Sequence, residues 1–307
     1  GHITPRYGIN SDMINGMEVV LPTGEICKVG SPSVSPYWFT RGPLPDLPGL
    51  FIGWLGTTGI VTKLSFQLFP KPKYRDVLAF STDNIDLIPD VIFDVTQVDL
   101  LEDFFLIAQE KPDWMNHVFF VIIVSGQSKE EFELKLKIYK KMLSEYKSGK
   151  EIKFVQEIHP ALRRRFLDVP PFAAAAADFR KGGGFEYTGA ILPIEKVPEA
   201  WRKGIEIAHK YGMLYSYVHQ ILAGHSIMFG LNYSFNRADE EDVGRTRKAL
   251  DESNRLTSDL GGIVWKGERS AQQLTMERMD PNTVDLIKKI KKALDPNGIM
   301  NPGNWGD

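Results

Sequence analysis

A single cysteine, Cys27, means that no internal disulfide holds this 307-residue chain, and its setting in Glu25-Ile-Cys-Lys-Val29 reads as a strand. No apolar run approaches the ~20 residues that span a bilayer, and no secretory leader pattern is present, so a cytoplasmic protein is expected, or one brought to a membrane by its partners. The formal charge of -2 gives no reason to expect nucleic acid. A dinucleotide fingerprint is missing as well. The glycines at Gly53, Gly56 and Gly59 have the wrong spacing for it and lead into a strand, where that fingerprint opens a helix.

What is present is an ordinary globular mixture, long enough for about two domains, with 43% apolar and 25% charged residues. Its most telling stretch is Gly49-Leu-Phe-Ile-Gly-Trp-Leu-Gly-Thr-Thr-Gly-Ile-Val61 and the alternating Ile60-Val-Thr-Lys-Leu-Ser-Phe-Gln-Leu68, ended by Pro70 and Pro72. Glycines without a Cβ let backbone turn sharply and lie against a flat or charged ligand, although the local pattern is also that of a tight structural turn.

Strand and helix signals follow in order. Asp76–Ser81 reads as a strand, Ile85–Phe93 as a short helix interrupted by Pro89, and His117–Val124 as a strand buried on both faces. Ser128 and Glu131 form a capping box before a helix carrying Phe132, Leu136, Tyr139 and Leu143. Pro198 starts a helix with Trp201, Ile205 and Ala208 that stops at Gly212. Strands Leu214–Leu222 and His225–Phe235 come next, then a polar helix from about Glu240 to Leu260, stopped by Gly261-Gly262. Asp280 caps the last helix, whose stripe is Ile287, Ile290 and Leu294. Arg163-Arg-Arg165 reads as a solvated helix face, with an anionic lipid or redox partner as the alternative, and the alanine run after Phe172 as a close-packed helical turn.

Three segments, in order, carry a resemblance: Arg6-Tyr-Gly-Ile-Asn through Leu21-Pro-Thr-Gly-Glu-Ile26, the glycine loop, and Leu294-Asp-Pro-Asn-Gly-Ile-Met-Asn-Pro-Gly303. Together they resemble the FAD-linked oxidases of the vanillyl-alcohol oxidase, p-cresol methylhydroxylase and glycolate oxidase superfamily. The resemblance implies an α+β fold: the second half of a PCMH-type FAD-binding domain (1–72), an antiparallel-sheet-and-helix cap for substrate (73–265), and a return segment (266–307). It implies noncovalent FAD held by Gly53, Gly56, Gly59, Ile60, Val61 and Asn301. Asn301 has the alternative of an ordinary turn asparagine. The pyrophosphate loop of that family lies upstream of anything similar to these residues. A separate polypeptide or subunit is therefore expected to supply the N-terminal half of the flavin domain, unless the chain is truncated. His2 receives no role, because Gly1-His2 matches a tag remnant.

The flavin would carry the redox chemistry, so the protein must place a C–H bond and help remove an O–H proton. The resemblance gathers His225, Tyr187, Glu268 and Arg269 for that task. Gly224-His225 matches the first histidine of the family's Gly-His-x-Gly-Asp-Gly-Asn-x-His metal motif, but Asn232 stands for the second, and Gly267-Glu-Arg269 lacks the histidine of Gly-Glu-His. No metal site is expected. His225 serves either as a base or as a hydrogen-bonded core histidine. Arg269 resembles the arginine of the phenol-oxidising branch and suits a phenolate or a carboxylate, against a plain salt bridge to Glu268 or Asp280. Thr188 falls at the position of the flavin-bonding histidine, next to Tyr187. The expected activity is oxidation of an alcohol or 2-hydroxy acid; the alternatives are a 4-alkylphenol or aromatic-alcohol oxidase and a noncatalytic or degenerate subunit. A small-molecule substrate and a redox partner follow from the first two, and a homo-oligomer is compatible with all three.

Overall fold

The structure, a computed structural model, describes residues 3–110, 117–145, 152–167 and 182–306. The chain forms two compact units, one of Ile9–Pro70 with Gly267–Asp307, the other of Lys71–Lys266 with the residues before Ile9.

The smaller unit is built on an antiparallel sheet of three strands, β1 (Ile14–Val20), β2 (Ile26–Gly30) and β3 (Ile60–Phe66), in the order β2-β1-β3. Gly24, at φ +98°, closes the β1–β2 hairpin, where the Leu21 N–H donates to the Glu25 carbonyl at 2.8 Å. Ile14, Met17, Val19 and Val29 form its core. Two helices, Arg269–Arg278 and Pro281–Leu294, complete the unit. Asp280 caps the second as expected, accepting from the Thr283 N–H at 2.8 Å, and Ile287, Ile290 and Leu294 are its half-buried stripe.

Among the described residues the larger unit has eight strands: β4 (Tyr74–Thr82), β5 (Leu101–Gln109), β6 (Val118–Gly126), β7 (Lys153–Phe154), β8 (Gly183–Pro193), β9 (Ser216–Ala223), β10 (Ser226–Asn236) and β11 (Ile263–Val264). They form one antiparallel sheet in the order β11-β8-β10-β9-β5-β6-β4-β7. Alternation sorts the side chains: Phe104, Leu106, Phe120, Ile122, Tyr217 and Phe229 face one way and pack with Ile88, Val91, Tyr139, Trp201 and Leu250 from four helices. Phe105, Ile107, Val121 and Ile123 face the other way, against Phe166 of the Pro160–Leu167 helix. The α+β architecture with an antiparallel sheet and helices is as expected, and β6 is buried on both faces.

Several details differ from the sequence reading. Pro89 does not interrupt a helix; it occupies the first turn of Ile88–Gln97, where its missing N–H costs nothing. His225 is not a strand residue but lies exposed in the turn between β9 and β10. β5 escaped notice because Glu102 and Asp103 look like surface charges. Both are buried, Glu102 in an ion pair with Arg75 at 2.7 Å and Asp103 accepting from Gln220. Arg163, Arg164 and Arg165 are all exposed, and Arg163 is tied to Asp76 at 2.7 Å. The alanine run after Phe172 and His2 lie outside the described residues.

Candidate functional site

In the smaller unit, folding brings the glycine loop, the 267–269 segment and the tail after Asp295 together. Asn301 donates from Nδ2 to the Leu55 carbonyl at 2.5 Å, and Trp305 donates from Nε1 to the Gly53 carbonyl at 3.2 Å. Gln272 braces the tail by donating to Asn304 Oδ1 and to the Gly267 carbonyl, both at 2.7 Å, and by accepting from the Trp305 N–H at 3.1 Å. A Cβ added at Gly267 would lie 2.9 Å from Leu55 Cδ2, so this segment packs directly on the loop.

Carbonyls of the loop are thus occupied, whereas the N–H groups of Gly53, Trp54, Leu55 and Gly56 donate to no other described residue. Gly53 and Gly56 adopt φ of +79° and +74°, and nothing lies within 4 Å of a Cβ built on either. Leu55, Asn301 and Trp305 also take positive φ, a conformation unfavourable for residues with side chains and concentrated at functional sites. A backbone held in left-handed turns, with carbonyls tied back and N–H groups free beside open space, fits a phosphate-bearing flat ligand such as FAD.

Gly59 has a different reason. It is buried, and a Cβ there would meet Val19 Cγ1 at 2.8 Å and Phe51 Cε1 at 3.1 Å, so the unit's own core requires this glycine. Ile60 and Val61 are exposed on β3. Thr57 and Thr58, buried, fasten the loop by donating to the carbonyls of Trp54 at 2.7 Å and Leu50 at 2.6 Å.

Glu268 is half-buried and precedes the helix that begins at Arg269. Arg269 is exposed, its guanidinium against Gly303, with Nη2 3.1 Å from a Cβ built there, and no hydrogen bond or ion pair engages it among the described residues. The salt bridge to Glu268 or Asp280 that was its plain alternative is therefore not formed.

The other two sequence candidates belong to the larger unit, which does not bring them together. Tyr187 pairs with Asn232 in the β8–β10 ladder, whereas His225 lies just beyond the opposite end, where Ser226 pairs with Pro193. His225 is seven strand positions from Asn232, the partner of Tyr187, roughly 23 Å. Tyr187 is half-buried between Phe185 and Trp265, each with its ring centroid at 5.9 Å, and Lys266 Nζ sits 4.6 Å from its own ring centroid. Thr188 faces the opposite way, fully buried in the row of Leu231 on the helix-covered side.

The buried histidine of this unit is His219, which the sequence reading passed over inside an apolar strand. It stacks on Phe229 with centroids at 4.4 Å and accepts from the Gly230 N–H at Nδ1, 2.9 Å. Burial pushes its pKa down to about 3. Trp305 and Gln272 were missed too; a tryptophan between glycines in Gly303-Asn-Trp-Gly306 is the signal that marks the first.

These features converge on the FAD-linked oxidases. The chain belongs to that family: the family described as FAD linked oxidases, C-terminal domain, matches residues 75–305, and FAD is its cofactor. Among curated relatives, the glycolate oxidase subunit GlcD of Bacillus subtilis is 25% identical over 97% of this chain and 64% of its own length. The mitochondrial D-lactate dehydrogenase [cytochrome] of Arabidopsis thaliana is 24% identical over 99% of this chain and 54% of its own length. The chain therefore spans only part of these relatives. Among solved structures, p-cresol methylhydroxylase with substrate bound superposes with a TM-score of 0.83 at 22% identity, covering 100% of this chain and 67% of that one. The 4-ethylphenol oxidase of Gulosibacter chungangensis in its isoeugenol complex gives 0.82 at 20% identity, with coverage of 100% and 68%. At these identities the structural matches speak for the fold alone. No helix among the described residues is long and apolar enough to cross a membrane.

Proposed function

We propose that this chain is the C-terminal portion of an FAD-dependent oxidoreductase that oxidises the CH–OH carbon of an alcohol or 2-hydroxy acid. The observation that carries the reading is the constellation of the smaller unit: a loop whose N–H donors, and beside it an arginine whose guanidinium, find no partner among the described residues. FAD, bound noncovalently, would supply the two-electron acceptor, taking the substrate's hydride at N5.

The residues do the rest. Gly53 to Gly56 present backbone donors to the cofactor, and Asn301 and Trp305 keep the loop in that conformation. The Arg269 fork matches the two oxygens of a substrate carboxylate. Glu268 accepts the hydroxyl proton as the carbinol becomes a carbonyl. Tyr187 and His225 of the larger unit lie seven strand positions apart and are given no common role in this reading. The relatives named for glycolate and D-lactate support a 2-hydroxy acid. The likeness to two phenol-oxidising enzymes supports a second reading, in which Arg269 faces a phenolate.

The rest of a relative-length protein, continuous with this chain or separate from it, is proposed to cover β3. That strand stands at the sheet edge with Ile60, Val61, Leu64 and Phe66 all exposed. A redox partner would take the electrons onward.

The test is anaerobic. The protein, together with the portion its relatives carry, is loaded with FAD and mixed with D-lactate, glycolate or 4-ethylphenol. Bleaching of the flavin by the acids, lost in Arg269→Ala, is expected; acid precipitation should release the flavin. Bleaching by 4-ethylphenol alone selects the phenol reading. Failure to retain FAD at all points to a noncatalytic subunit.

A further inference from the structure

The larger sheet has an edge that is only partly covered. β7 pairs with β4 at Phe80 and Ser81, and just past them the Val155 N–H donates to the Ala79 carbonyl at 3.0 Å. In an antiparallel sheet successive residues turn their backbone groups to alternate neighbours, so Arg75 and Val77 face the same side as Ala79, away from β6. There the Val77 carbonyl and both backbone groups of Arg75 meet no partner among the described residues. The Val77 N–H donates to the neighbouring Asp76 Oδ1 at 2.6 Å, and Arg163 Nε donates to the same oxygen at 2.7 Å. That carboxylate stands in for the carbonyl that a further strand would offer.

A groove of about 880 Å³ lies against this edge. Asp76, Val77 and Leu78 line it from β4, and Leu136, Lys137 and Lys140 line it from one face of the Lys129–Glu145 helix. Phe154 and Val155 line it beside β7. Its charges do not balance. Asp76 is paired with Arg163, and Glu133 with Lys129 at 3.7 Å. Lys137 and Lys140 are exposed and engage no carboxylate among the described residues, while Leu136, Val77 and Phe154 are half-buried and offer apolar contact. A basic segment would be repelled by the two lysines, and a small anion would leave the edge at Arg75 and Val77 unpaired.

We infer that this groove docks an extended acidic segment of another polypeptide, which adds to β4 beyond β7 and sets its carboxylates against Lys137 and Lys140. Main-chain bonds to the open edge supply affinity, and the helix wall selects the side chains. The incoming carbonyl takes the Val77 N–H from Asp76. The site lies wholly within the larger unit and does not depend on the oxidoreductase reading.

The test uses the full chain and fluorescein-labelled heptapeptides, read by anisotropy. One peptide alternates glutamate with valine and a second alternates lysine with valine. Two more are the glutamate peptide N-methylated on its valines or on its glutamates. The glutamate peptide should bind about tenfold or more tightly than the lysine peptide, and less so in about 1 M salt, where screening acts beyond about 3 Å. One methylated peptide should bind like its parent and the other should not bind, because alternate residues face the edge. Lys137→Glu with Lys140→Glu should weaken the glutamate peptide about tenfold or more, with the melting temperature unchanged because both side chains are exposed. Asp76→Ala, which frees the Val77 N–H and removes a carboxylate, should tighten it severalfold. Failure of the glutamate peptide to bind, equal binding of the lysine peptide, or equal effects of the two methylations overturns the inference. So does a dimer of the unmodified chain that Val77→Pro dissolves, since that result assigns the edge to a second copy.

Discussion

β6 and β3 are both rich in apolar residues, and their surroundings are opposite. Phe120, Val121, Ile122, Ile123 and Val124 of β6 are buried, flanked by β4 and β5 and covered on both faces. In β3, Ile60, Val61, Leu64 and Phe66 are all exposed, and one edge of the strand is open. Apolar content makes a strand in both cases. What differs is whether this chain supplies the cover. An exposed apolar edge strand is a pairing template that proteins normally protect, which is why we propose that another surface covers β3, whereas β6 is covered within its own unit.

The contrast can be broken most sharply in the larger unit. Phe120 stacks on Phe80 at 4.8 Å and lies 6.1 Å from Phe104. Phe120→Ala should cost about 3–5 kcal/mol, read by urea unfolding. A loss below about 1 kcal/mol would mean that β6 is not the packed centre described here.

Acid should act on the same core. His219 has its pKa lowered from 6.5 to about 3. The unfolded chain then takes up a proton that the folded one refuses, so stability is full above pH 6.5 and falls as pH drops toward 3. The loss is on the order of 1 kcal/mol per pH unit across that window. His219→Gln should flatten this part of the stability profile; an unchanged acid slope in the variant would place the sensitivity elsewhere.

In the smaller unit the effects shift from stability to binding. Asn301→Ala removes the bond to the Leu55 carbonyl, with a cost of about 1 kcal/mol in stability and roughly tenfold in FAD affinity, measured by flavin fluorescence titration. Equal affinity in both proteins would detach the tail from the cofactor site. The smallest change in stability belongs to β3 itself. Leu64→Ser with Phe66→Ser should alter melting by less than about 0.5 kcal/mol, yet weaken association with the covering portion supplied as a separate polypeptide. If association survives, β3 is not the covered surface.

The sequence was most legible where the signal is local. Ser128 caps its helix as expected, with the Glu131 N–H donating to Ser128 Oγ at 3.2 Å, while the Glu131 carboxylate accepts from the Gln127 N–H, one residue before the cap, at 2.8 Å. Asp280, Gly212 and Gly261 likewise start or stop helices where expected. It was least legible for charges and for histidines. Glu102 and Asp103 hid a strand because their partners, Arg75 and Gln220, come from other strands of the sheet. His225, the histidine weighed for catalysis, is exposed in a turn, while His219, which was passed over, is buried in a strand.

Residue order therefore suffices for many of the elements, the α+β class and the glycine loop of an FAD-linked oxidase, because caps, turns and alternation depend on neighbours a few positions apart. The tertiary structure alone decides that Gly59 serves packing while Gly53 and Gly56 stand open, that Arg269 has no hydrogen-bond or ion-pair partner among the described residues, and that Asn232 rather than His225 shares a row with Tyr187. Those outcomes depend on strand register and on which side of a sheet is covered. One step of register turns every side chain to the other face, and the pairing that sets it joins residues far apart in the chain.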